Sequence, residues 1–206
     1  MNFAGARTCT LAAGVSGSGK TTFALKALVN GAYTCRFIVD PEGEYAVRLR
    51  LRPAATTEAC ENALASRWVI FDPGLLWPGR YDEAFAWFCG YALETSNRGA
   101  GRKILMVDEV WRYCDPHRLP AELATCIQTG RRYGLDVMFA TQRPNRLNEA
   151  ITNEVTELVC FRLQGSNALR VVSDMGVNEA EVSALVPGAY VARNLVTGGE
   201  LRGRVF

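Results

Sequence analysis

A chain of 206 residues, 49% hydrophobic and 21% charged, is long enough to bury a sizeable core as one domain, 1–206, and its formal net charge of +2 excludes polyanion binding by overall charge. Any nucleic-acid contact must come from a local cluster of arginines, because the only lysines are Lys20, Lys26 and Lys103. Seven cysteines with no CxxC pair, beside the single histidine His117, argue against a disulfide framework or a Cys/His zinc centre and read as buried, reduced thiols. No run approaches the roughly 18 apolar residues of a membrane span, and the amino-terminal apolar stretch is too short for a signal peptide. The expectation is a soluble intracellular chain, or a soluble part of a larger assembly.

Short runs of Val, Ile, Phe and Leu alternate with helical patterns, which predicts βαβ units around a mostly parallel central sheet flanked by helices. A first strand at 7–13 leads into Gly14, Val15, Ser16, Gly17, Ser18, Gly19, Lys20 and Thr21, and a helix at 20–29 follows. This is the GxxxxGK[ST] P-loop pattern in the strand–loop–helix context that it requires. Its glycines let backbone N–H groups converge on a β-phosphate at the positive end of the helix. Lys20 would reach the β- and γ-phosphates, Thr21 would offer its hydroxyl to Mg²⁺, and Thr22 would cap or pack in the first helical turn.

A second strand at 36–40 runs into Pro41, Glu42, Gly43, Glu44 and Tyr45, after which Arg48, Arg50 and Arg52 alternate with leucines. Those arginines read either as backbone-directed DNA contacts or as a solvated face, and 52–58 reads as the softest internal segment. After a strand at 68–71, a helix at 82–95 repeats Phe85, Phe88, Tyr91 and Ala92 at helical spacing, a core stripe. The buried strand 103–107 ends on Asp108 and Glu109, the acid pair that completes a P-loop Mg²⁺ site. Asp108 is expected to bind the ion, and Glu109 to orient or deprotonate the attacking water.

A helix at 120–132 ends on Arg131 and Arg132, and a strand at 137–141 leads to Gln142, Arg143 and Pro144. Gln142 at a strand tip is a candidate γ-phosphate sensor or a loop hydrogen-bonding residue. Arg131 and Arg132 suit a helix end, where cations meet the dipole, and equally a neighbouring subunit's γ-phosphate. A helix at 148–155 and a strand at 158–163 follow, then short helices at 167–175 and 178–185. Strands at 189–195 and 200–205 around Thr197, Gly198 and Gly199 predict a C-terminal β-hairpin.

GVSGSGKT, the DPEGEY segment after the second strand, VDEV, GRRYGLDVMFATQRP and the strand LVCFRL together resemble the HerA/FtsK superfamily of nucleic-acid-pumping P-loop ATPases. The resemblance implies a RecA-like α/β P-loop NTPase that uses ATP and Mg²⁺ and works as a homo-oligomeric ring, a hexamer, on double-stranded DNA. A bare motor domain of this length is similar to the genome-packaging ATPases of tailless, membrane-containing double-stranded DNA viruses. That implies capsid or vertex proteins as partners, and a packaging vertex or host cytoplasm as location. Three alternatives remain: a Zot-like phage morphogenesis ATPase, a cellular HerA-like translocase, and a small-molecule phosphotransferase, which needs an acceptor pocket and a lid insert not evident here.

Overall fold

The computed structural model describes residues 8–206, so Arg7 of the first predicted strand lies outside the described residues. Eight strands form one sheet: β1 (Cys9–Ala13), β2 (Cys35–Val39), β3 (Trp68–Phe71), β4 (Lys103–Val107), β5 (Leu135–Thr141), β6 (Glu157–Cys160), β7 (Ala189–Asn194) and β8 (Glu200–Arg204). Their order is β3-β2-β4-β5-β1-β6-β7-β8; all pairs from β3 to β6 are parallel, and β7 and β8 extend the sheet antiparallel. The helices in chain order are α1 (Lys20–Asn30), α2 (Glu44–Leu49), α3 (Thr57–Ala63), α4 (Pro73–Leu76), α5 (Tyr81–Arg98), α6 (Ala121–Thr129), α7 (Glu149–Thr152), α8 (Ser166–Asp174) and α9 (Glu179–Ala184).

The period of two along each strand divides the core between the two faces. Ile38, Ile70, Ile104 and Met106 pack with Ala24 and Leu28 of α1 and with Tyr45 and Ala46 of α2. Their neighbours Phe37, Val39, Leu105 and Val107 face Phe85, Phe88 and Cys89 of α5 and Leu123 and Ile127 of α6. Phe88 stacks on Phe71 at 4.3 Å and Phe85 on Tyr113 at 4.1 Å, so the aromatic stripe is packing. All seven cysteines are buried, and His117 is exposed. No helix among the described residues is long and apolar enough to cross a membrane.

Several boundaries differ from the sequence expectation for local reasons. The helix expected at 120–132 stops at Thr129 and tightens into a 3-10 turn, Gly130–Tyr133, where a Cβ on Gly130 would lie 3.2 Å from the Leu135 carbonyl. The helix expected at 148–155 is a single turn, α7. The strand expected at 158–163 ends at Cys160, because the chain beyond it turns to the P-loop, with Val15 N–H donating to the Arg162 carbonyl at 2.8 Å. Segment 52–58, mostly exposed, is anchored at two points: Ala54 is buried with its N–H donating to the Ile70 carbonyl at 2.7 Å, and Thr56 caps α3 through Ala59 N–H. The hairpin forms as expected, with Asn194 Oδ1 accepting from Val196 and Thr197 N–H and Gly198 at φ 75°.

At the amino edge of the sheet, buried Arg36 caps the carboxyl end of α1. Its guanidinium donates to the carbonyls of Leu28 (2.7 Å), Gly31 (2.8 Å) and Tyr33 (2.8 Å) and lies 4.5 Å over the Trp68 ring. Arg36→Ala removes these charge-assisted bonds and strands buried acceptors, so urea unfolding should show a loss of about 3 kcal/mol. Arg98→Ala on the exposed end of α5 should cost under about 0.5 kcal/mol; equal losses would contradict the capping role.

Candidate active site

Five strand ends, those of β1 to β5, meet at the carboxyl edge of the sheet. Gly14 N–H donates to the Thr141 carbonyl at the end of β5, Asp108 N–H to Val39 at the end of β2, and Asp40 N–H to Phe71 at the end of β3. The strand register therefore assembles the site before any side chain acts.

The loop 14–21 closes tightly on its surroundings. A Cβ on Gly14 would lie 2.6 Å from both Phe161 Cβ and Ser18 Oγ. Gly19 holds φ 117°, and a Cβ there would come within 2.8 Å of Val205 Cγ2, so both pattern glycines are required by close approach. The C-terminal hairpin also braces the loop, because Gly188 N–H donates to the Ser18 carbonyl at 2.9 Å. Ser18 Oγ is buried without a partner, an orphaned polar atom inside a ring of backbone that fits an anionic guest.

Lys20 opens α1 and is buried, with Nζ donating to the Val15 carbonyl at 3.1 Å. Burial lowers its pKa, while the charges of Glu109 and then Asp108 act to raise it, so both acids lie within electrostatic reach of the ammonium. Asp108 is pushed up to about 7, chiefly by burial and then by Glu109, with Lys20 opposing. Among the described residues no group of three or more His, Cys, Asp or Glu could hold a metal unaided. Thr21 with Asp108 fits Mg²⁺, which takes few protein ligands and shares a nucleotide's phosphates and water.

Glu109 is buried and adopts φ 45°, ψ 49°, a left-handed conformation that is costly for a residue with a Cβ. Its Oε2 accepts from Trp111 Nε1 at 2.5 Å and from the Gln142 backbone N–H at 3.2 Å. Gln142 thus reaches the site through its amide, while its side chain is exposed. Trp111 was missed by the motif reading, although its position two residues after an acid pair at a strand end was a usable signal.

The DPEGEY segment builds the adjoining wall. Asp40 Oδ2 accepts from Ala46 N–H at 2.8 Å and burial raises its pKa, while the Tyr45 hydroxyl is buried without a partner. Glu42 pairs with Arg112, joining the turns after β2 and β4. Arg48, Arg50 and Arg52 are all exposed, but Arg48 donates to Thr22 Oγ1 at 3.1 Å and lies 3.8 Å from Glu44, which occupies it beside α1.

Arg131 and Arg132 are not brought to this site. Both are exposed in the turn that precedes β5, whereas Gln142 follows it, so the seven residues of β5 separate them from their own P-loop by roughly 20 Å. Any contact with a nucleotide is left to a neighbouring subunit.

No family model matches the sequence, and no curated protein matches it. Solved structures do. The genome packaging NTPase B204 from Sulfolobus turreted icosahedral virus 2, in complex with ATP-gammaS, is 15% identical with a TM-score of 0.75, over 97% of this chain and 98% of that one. VirB4 of Thermoanaerobacter pseudethanolicus is 14% identical with a TM-score of 0.64, over 96% of this chain and 89% of that one. The plasmid coupling protein TrwB, in complex with a non-hydrolysable GTP analogue, is 12% identical with a TM-score of 0.62, over 96% and 85% of the two chains. The chain therefore shares the fold of these three proteins.

The buried acid has a consequence for stability. Folded Asp108 keeps its proton to about pH 7, whereas an unfolded aspartate loses it near 3.8, so the native state binds more protons in that window and Asp108's contribution to stability falls as pH rises through it. In metal-free protein, Asp108→Asn should raise Tm by several degrees at pH 8 and by little at pH 4. A Tm gain independent of pH in thermal melts would contradict the burial of an ionising carboxyl.

Proposed function

We propose that this chain is an ATP-hydrolysing DNA translocase, a genome-packaging motor that drives double-stranded DNA into a capsid. The observation that carries hydrolysis is the Glu109 carboxylate, held by Trp111 and Gln142 within electrostatic reach of the buried Lys20 ammonium at the mouth of a glycine-lined anion cradle. The packaging reading is supported by end-to-end correspondence with B204, itself a packaging NTPase, with almost no length unmatched on either chain.

In this reading, the backbone N–H groups of 14–21 hold the β-phosphate and Thr22 lies along the α-phosphate side. Lys20 leaves the Val15 carbonyl for the γ-phosphate, exchanging a neutral acceptor for an anion. Thr21 and Asp108 would hold Mg²⁺, which when bound neutralises charge developing on the β- and γ-oxygens. Glu109 accepts a hydrogen bond from the attacking water and aligns it with the γ-phosphorus, and the exposed Gln142 side chain reads the γ-phosphate. A domain with one such site holds DNA while resetting it only as part of a ring, so subunits assemble as a homo-oligomer, a hexamer, around the duplex at a capsid vertex.

ATPase assays with duplex DNA at increasing salt test the reading. Turnover should rise on adding DNA, and the stimulation should decline as salt weakens phosphate contacts. Lys20→Ala should lower kcat by roughly a hundredfold or more, while Glu109→Gln binds ATP but does not cleave it. Acceleration by a small acceptor, with a phosphorylated product and no response to DNA, would replace the motor by a phosphotransferase.

The position of Arg131 and Arg132 at the amino edge of the sheet, away from their own P-loop, supports the reading that one of them serves a neighbour's γ-phosphate. Alanine at that position should depress turnover with nucleotide affinity and Tm nearly unchanged. Mixing it with Glu109→Gln subunits should restore partial activity at interfaces where both residues are wild type. Absence of recovery in mixtures shown by sizing to co-assemble would count against catalysis in trans, as would an active monomer with a specific rate independent of protein concentration.

A further inference from the structure

Trp111 occupies the 3-10 turn Val110–Arg112 directly after the acid pair, and four contacts fix it there. Its indole N–H donates to Glu109 Oε2 at 2.5 Å, and the Arg143 guanidinium lies 4.5 Å over its ring. The turn itself is closed by Arg112 N–H to the Glu109 carbonyl at 2.9 Å and anchored by the Arg112–Glu42 ion pair. The half-buried indole packs on the core through its ring, and its N–H is the one polar group it brings to the site.

Both donors to Glu109 converge on one oxygen. Trp111 and the Gln142 amide bind Oε2, and among the described residues Oε1 takes no hydrogen bond. Two donors, from β5's tip and from the turn after β4, hold Oε2 in place and leave Oε1 as the oxygen available to a guest. The left-handed backbone at Glu109 serves the same end: its strain persists because the side chain it delivers is held at both attachment points.

We infer that Trp111 is a positioning residue of the hydrolysis centre, one that pins one carboxylate oxygen of Glu109 and leaves the other free to accept from the water. The inference rests on the proposed ATPase function. It deepens that function by joining the end of β4 to the tip of β5 through Trp111, so that Glu109 is aimed by both strands. Arg143, exposed at that tip, holds the indole face and keeps its N–H directed inward.

Two measurements on the full chain test it. The protein has four tryptophans, so its ¹H–¹⁵N spectrum offers few indole signals to resolve. One should lie well downfield of the others, vanish in Trp111→Phe and move upfield in Glu109→Gln, where the acceptor loses its charge. Replacing Trp111 by 3-benzothienylalanine then keeps the ring and its stacking while deleting only the N–H. In ATPase assays at saturating duplex DNA, kcat should fall about tenfold or more, with KM and nucleotide Kd within about twofold, because orientation and not binding is lost.

A wild-type kcat in the isostere, a KM increase with kcat intact, or an indole spectrum indifferent to Glu109→Gln would overturn the positioning role. A wild type that does not hydrolyse ATP overturns the proposed function and this inference with it. A hydrolysing wild type with a normal Trp111 isostere overturns this inference alone.

Discussion

Everything at the carboxyl edge of this sheet depends on one buried ammonium facing several buried acids. Lys20 lies within electrostatic reach of Asp108 and Glu109, with Asp40 buried in the adjoining wall, and each group has been taken largely out of water. One cation cannot balance them, and the raised pKa of Asp108 expresses first its burial and then the neighbouring charge of Glu109. The arrangement suits a divalent cation that arrives with its own phosphate ligands, since the protein then supplies charge without a complete coordination shell.

The opposite edge solves the complementary problem. Helices that start at the carboxyl edge end at the amino edge and leave carbonyls there, and the strands that begin at that edge carry cations to meet them. Arg36 answers the end of α1, and Lys103 donates to Ser96 at 3.0 Å and to Gly99 at the end of α5. Asp136 is bonded there by Thr8 N–H and by Arg102. Orphaned polar atoms remain at the carboxyl edge on Ser18, Asp40 and Tyr45, and at the amino edge on Glu157 at the start of β6.

Between the two edges, β4 and β5 carry the coupling. They are adjacent and parallel, so Glu109 at the end of one and Gln142 at the end of the other come within hydrogen-bond reach, and Trp111 with Arg143 closes the same circuit further out. The arginines at the start of β5 belong to the other edge and are separated from this circuit by the length of the strand. The two ends of β5 thus face different surroundings, its own site at one end and solvent or a neighbour at the other.

Local chemistry made much of this legible in the residues alone. Glycines at 14 and 19 before a lysine, buried runs ending in acids, and a Thr-Gly-Gly turn between two short strands each report constraints that act within a few positions, and the parallel sheet, the P-loop and the hairpin follow from them. Partners distant in sequence were settled only by packing. That Gly14 is closed by Phe161, that Ala54 in a mostly exposed segment pairs beside Phe71, and that Arg131 and Arg132 lie across the sheet from their own P-loop all depend on strand order, which no local pattern encodes. The place of Trp111 after the acid pair is visible in the sequence, but its bond to Glu109 needs a left-handed backbone at that residue, which an acidic side chain does not announce.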